Sequence, residues 1–67
     1  MPKPADDFAG LAAPGRRALA AAGIANLEDL ARAKAADLAK LHGVGARGLE
    51  ILRKNLSVRG LTFADES

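Results

Sequence analysis

Apolar residues recur three and four positions apart along most of the chain, and glycine or proline interrupts them where elements should end. Residues 1–7 hold two prolines and two aspartates and read as a flexible N-terminal segment; Phe8 and Leu11 are the first bulky apolar anchors. Pro14 suits the first turn of a helix that Arg16 to Ala22 can continue. Gly23 suits a left-handed cap that folds Ile24 back onto Leu19. Asn26 caps a short second helix, with Glu28 and Asp29 in its first turn and Leu27 and Leu30 facing inward. Lys34 to Leu41 makes a third, with Leu38 and Leu41 as its buried pair. Lys34 and Ala35 are poor caps, so nothing local forces a break between the second and third helices.

The last helix is expected over Ala46 to Arg59, on a core stripe of Leu49, Leu52 and Leu56. Gly60 closes it as Gly23 closes the first, returning Leu61 onto Leu56. Arg47, Glu50 and Lys54 share the opposite face, where Glu50 and Lys54 have the spacing of a favourable pair worth about 0.2–0.5 kcal/mol. Ile51 and Val58 project from the Arg47 side. The Phe8 segment is expected to cover them; left bare, they would form an apolar patch suited to a protein partner.

The chemically suggestive stretch is Leu41-His42-Gly43-Val44-Gly45-Ala46-Arg47-Gly48, immediately before that helix. Gly43 and Gly45 can adopt positive φ or admit another backbone, and Val44 can plug the turn into the core. The first amides of the helix have no acceptor within it and carry the positive end of its dipole, an arrangement suited to a phosphate. Arg47 adds a full charge one turn in. His42 reads first as a turn residue and second as a phosphate contact, not as a metal ligand.

Composition narrows the class. The 67 residues form one domain at most, with no cysteine, a single histidine and only Phe8 and Phe63 as aromatics, while alanine and leucine abound. Disulfides and thiolate zinc sites are excluded, strands are disfavoured, and the chain reads as all-α. The net charge of +2 conceals an uneven distribution: Asp6, Asp7, Asp65 and Glu66 sit near the ends, and from Phe8 to Ala64 nine basic residues face four acidic ones. Such a centre suits a polyanion. No nucleophile sits in pattern with a base and no carboxylates pair, so no enzyme and no cofactor is expected. No apolar run is long enough for a signal peptide or a membrane span, so a cytoplasmic, nucleoid-associated protein is expected.

A weak repeat at an offset of thirty residues pairs Leu11, Gly15, Arg17 and Leu19 with Leu41, Gly45, Arg47 and Leu49. If it is structural, Arg16 and Arg17 lie near a second phosphate.

The stretch from Leu41 to Arg47 resembles the helix-hairpin-helix motif of DNA-binding proteins: an apolar residue, a polar one or proline, glycine, an apolar residue, glycine, and a basic residue two positions later. More broadly, residues 11–63 resemble the C-terminal domain of the bacterial RNA polymerase alpha subunit. The likeness runs through Arg17-Ala18-Leu19-Ala20-Ala21-Ala22-Gly23-Ile24, Leu27-Glu28-Asp29-Leu30, the hairpin, and Leu56-Ser57-Val58-Arg59-Gly60-Leu61-Thr62-Phe63. The polymerase assembly region is absent, so the chain resembles a small stand-alone relative.

That resemblance implies a compact, SAM-domain-like bundle of four or five short helices over residues 8–63, followed by an acidic tail at 64–67. It also implies weak, backbone-directed contact with DNA through Gly45, Arg47 and Gly48, joined by Gly43, His42, Arg16, Arg17 and Lys54. Where the polymerase domain has its main DNA-contacting arginine, this chain has Pro14, and an acidic family position in the last helix is Ile51. Non-specific backbone binding by a monomer is therefore expected, in place of promoter-element recognition. The competing reading is a protein-interaction module that contacts RNA polymerase, another transcription protein or a second copy of itself.

Overall fold

The computed structural model describes residues 7–66, and among them the regular structure is entirely helical: α1 (Ala13–Ala21), α2 (Leu27–Ala31), α3 (Ala35–Leu38), α4 (Gly45–Val58) and a closing 3₁₀ turn at Ala64–Glu66. Each boundary has a chemical cause. Pro14 sits in the first turn of α1, where its missing amide costs nothing. Gly23, at φ +81°, ends that helix, and the Ile24 amide donates to the Leu19 carbonyl at 2.9 Å. Gly60, at φ +72°, ends α4 in the same way, with the Leu61 amide donating to Leu56 at 2.8 Å. The Asn26 side chain caps α2 by accepting from the Asp29 amide at 2.8 Å, and Asp29 returns a carboxylate oxygen to the Ala25 amide at 3.1 Å.

The second and third helices are separate, and the break that no local cap enforces is made from a distance; carboxylates remote in sequence brace the starts of both helices. Asp65 accepts from the amides of Ala35 (2.8 Å) and Ala36 (3.3 Å) at the start of α3, while the Ala64 amide donates to the Ala33 carbonyl that breaks the chain before it. Asp7 accepts from the Leu27 amide at the start of α2 at 3.1 Å. Two parts expected to be peripheral thus belong to the fold. Asp7 lies in the segment expected to be flexible, whose residues 1–6 fall outside the described part. Asp65 and Glu66 lie in the expected acidic tail, whose Ser67 also falls outside it.

The core is aliphatic with one ring at its centre. Phe63, Leu19, Leu30, Leu52 and Leu56 are fully buried, each worth about 1.5–3 kcal/mol of transfer free energy, and Leu11, Ile24, Leu27, Ala35, Leu38 and Val44 complete the set. The stripe of α4 holds at Leu52 and Leu56, which are buried as expected, but it begins at Gly48 and leaves Leu49 half-buried, as is Leu41. Asn55 ties the entering chain across α4, donating to the carbonyls of Ala9 (3.0 Å) and Asp7 (3.4 Å). Ile51 is half-buried beneath that segment as expected, whereas Val58 stands 79% exposed.

The internal repeat is real as geometry but runs in a different register. Gly10 and Gly43 both hold positive φ (+88° and +97°), Leu11 and Val44 behind them are buried, Gly15 and Gly48 are buried one helical turn on, and Leu19 and Leu52 are fully buried. The Leu11 amide donates to Phe8 and the Val44 amide to Leu41, closing the two turns alike. The offset is therefore thirty-three residues. Gly15 does not correspond to Gly45, because Gly15 is a packed helical residue and Gly45, at φ +64°, is exposed.

Candidate functional site

The two turns lie side by side, each leaning on the helix that follows the other. A Cβ placed on Gly10 would meet Ile51 of α4 at 3.5 Å, and one on Gly43 would meet the Pro14 carbonyl of α1 at 2.8 Å. Leu11 fills the space beneath both Gly15 and Gly48, where a Cβ would lie 2.9 Å and 3.3 Å from its side chain. The absence of side chains at these glycines is what lets the turns approach.

The second turn feeds α4. Val44 precedes it in helical backbone without a side-chain cap, and the first amide bond of the helix runs from Gly48 to the Val44 carbonyl at 3.1 Å. Among the described residues, the amides of Gly45, Ala46 and Arg47 donate to no acceptor, so three unpartnered donors on exposed residues coincide with the positive end of a fourteen-residue dipole. Arg47 is exposed, and its side chain has no hydrogen bond or ion pair among the described residues; the same holds for Arg17 and Lys54. Arg47 and Lys54 are two turns apart on one face of α4. The Glu50 to Lys54 pair expected there is not formed within ion-pair distance, and Lys54 is left without a partner among the described residues. His42 and Gly43 are exposed in the turn itself.

Two of the expected contacts are otherwise engaged. Arg16 is half-buried and turned back on the entering chain, where its guanidinium donates to the carbonyls of Leu11 and Phe8, each at 3.0 Å. These two bonds secure the first turn, and Arg16 does not join a basic patch. Gly48 is buried on the inner face with its amide committed to Val44, so it serves the packing of α4 against Leu11. Of the four basic side chains expected at DNA, Arg47 and Lys54 share α4, Arg17 is exposed on α1, and Arg16 is withdrawn.

Sequence reasoning passed over the first turn. Gly10, Leu11 and Ala12 meet Gly43, Arg47 and Ile51 around a hollow of about 160 Å³ between the turns. Its signal in the sequence is Phe8-Ala9-Gly10-Leu11 set against Leu41-His42-Gly43-Val44, a likeness of residue class that the identities between Gly15 and Gly45 mask.

At the far end of α4, Arg53 makes a two-pronged contact with the Glu66 carboxylate at 3.0 and 2.6 Å and lies 5.9 Å from the centre of the Phe63 ring. The hydrogen bond from Arg53 holds the Glu66 carboxyl below its usual range, and the Ala35 amide does the same for Asp65. Arg53 is thereby neutralised and stands apart from the free cations.

No protein-family model, curated protein or solved structure matches this chain. Among the described residues, no helix is long and apolar enough to cross a membrane.

Proposed function

We propose that this chain is a small helix-hairpin-helix module, similar to the C-terminal domain of the bacterial RNA polymerase alpha subunit, that binds DNA through its backbone phosphates without reading base sequence. The observation that carries this is the start of α4: three unpartnered amides at Gly45, Ala46 and Arg47, with an uncommitted Arg47 guanidinium beside them. Such a set accepts an anion with no rearrangement, and a fully charged donor strengthens it. Backbone amides carry no base information, so affinity and not specificity follows.

With Arg16 withdrawn and Gly48 buried, the cationic complement falls to Arg47 and Lys54 on α4 and Arg17 on α1. About two or three neutralised phosphates give a shallow salt dependence and a Kd of about 10⁻⁴ to 10⁻⁶ M. The deciding experiment is titration of labelled duplex DNA at two salt concentrations with the wild type and Arg47→Glu. Binding at low salt that the reversal abolishes supports the reading; no binding, or binding the reversal leaves unchanged, refutes it.

One observation favours the protein-interaction alternative: Val58 is exposed beside an open groove lined by Glu50, Arg53, Lys54 and Ser57. Retained DNA binding in Val58→Asp together with loss of binding in Arg47→Glu separates the two readings.

A further inference from the structure

We propose that the hollow between the two glycine turns seats one deoxyribose of the DNA backbone, and that the module thereby prefers DNA to RNA; this rests on the phosphate reading above and extends it to the sugar. The hollow holds about 160 Å³. A cavity of about 150 Å³ admits a benzene-sized ring, so a five-membered sugar fits. Its wall is largely apolar, formed by Leu11, Val44 and Ile51, and no hydroxyl, carboxamide or carboxylate side chain lines it. Gly10 and Gly43 border it at positive φ, and their missing side chains let another backbone come close. Arg47 stands on its rim with both a free amide and a free guanidinium.

A nucleic-acid backbone has the complementary layout, with an apolar ring face flanked by anions. The rim charge matches the phosphate and the wall matches the ring. A ribose in the same seat would bring its 2′-hydroxyl against a surface with no side-chain partner other than Arg47, which the phosphate engages. A hydroxyl that gives up water without a partner weakens binding, and the 2′-hydroxyl is the group by which a protein tells the two polymers apart.

The test uses the full chain at low salt with oligo-dU and oligo-U of equal length, which share bases and phosphates and differ only in the 2′-hydroxyl. The expected result is that oligo-dU binds tighter by about fivefold or more. Ala12 is exposed on the edge of the hollow, so Ala12→Leu fills the seat from outside the core. It should weaken oligo-dU and bring the two polymers to similar affinity, with an unchanged thermal midpoint confirming the fold. Equal binding of both polymers by the wild type, with both lost in Arg47→Glu, overturns the sugar seat and leaves the phosphate reading standing. So does a preference that persists in folded Ala12→Leu. Failure of both polymers and of duplex DNA to bind overturns the phosphate reading, and the seat with it; failure of both polymers while duplex DNA binds overturns the seat alone.

Discussion

Gly15 and Gly43 bring the backbones of the two turns together: a Cβ on Gly15 would lie 3.1 Å from the Gly43 carbonyl oxygen as well as 2.9 Å from Leu11. In an open helix, Gly→Ala gains about 0.5–1 kcal/mol. Here the sign reverses, since one neighbour is backbone and the other a buried core residue. Gly15→Ala is expected to destabilise by about 1–3 kcal/mol, the usual cost of overpacking. Gly43→Ala should cost more, because strain at φ +97° adds to a contact with the Pro14 carbonyl at 2.8 Å. Gly23→Ala is the control, with positive φ but open space around it, and should show the strain alone. Urea unfolding of the three variants ranks them; Gly43→Ala no worse than Gly23→Ala would contradict the close approach.

Phe63 links the chain end to the core. It is fully buried beneath Arg53 and sits one residue before the turn that carries Asp65 and Glu66 to α3 and α4. Truncation of a buried phenylalanine costs about 3–5 kcal/mol, and a chain of this size has about 3–10 kcal/mol in total. Phe63→Ala should therefore be largely unfolded at 37 °C by circular dichroism at 222 nm. A cooperative transition near that of the wild type would show that the closing segment is dispensable.

Arg16 and Arg17 are adjacent in sequence and should part in experiment. Arg16 holds the carbonyls of Leu11 and Phe8, so Arg16→Ala is expected to lower stability by about 1 kcal/mol while leaving the salt dependence of DNA binding almost unchanged. Arg17→Ala should leave stability within about 0.5 kcal/mol, and if Arg17 reaches a phosphate it lowers the salt slope by about 0.9. Paired thermal melts and salt titrations check both; the reverse pattern would mean that Arg16 leaves its carbonyls on binding.

The features legible in the sequence are those whose cause is local. Gly23 with Ile24, Gly60 with Leu61, and Asn26 with Asp29 each act within five residues, and each forms as its sequence indicates. The break between α2 and α3 was not legible, because its cap comes from Asp65, thirty residues after Ala35; the brace that Asp7 gives the start of α2 is equally remote, twenty residues before Leu27. A charge near a chain end looks like a solvated tail until the fold returns it to a helix start. The candidate site divides the same way. The turn at Gly43 to Gly45 and the exposure of Arg47 follow from local pattern, but the withdrawal of Arg16 depends on where the Phe8 carbonyl comes to lie. The repeat was misregistered by matching residue identity, whereas the structural equivalence depends on glycine conformation at Gly10 and Gly43 and on burial at Leu11 and Val44.

Asp65 and Glu66 give the fold a defined acid sensitivity. Asp65 is held below its ordinary pKa by the Ala35 amide, and Glu66 by its hydrogen bond from Arg53. A carboxyl whose folded value is depressed contributes stability that is fully present above its unfolded value, about 3.9 for Asp and 4.3 for Glu, and is lost as pH falls through the folded value. Stability should therefore be nearly flat from pH 7 to about 5 with respect to these two groups and fall below about 4. Replacing Asp65 by alanine removes the cap at every pH where the carboxylate is ionised, so Asp65→Ala should melt lower than the wild type at pH 7 and approach it at pH 2–3. Glu66→Gln should show the same convergence, since a neutral amide cannot pair with Arg53 as a carboxylate does. Thermal midpoints of the three proteins across this range decide the matter. Curves that stay parallel down to pH 2 would show that neither carboxylate supports the fold through its charge.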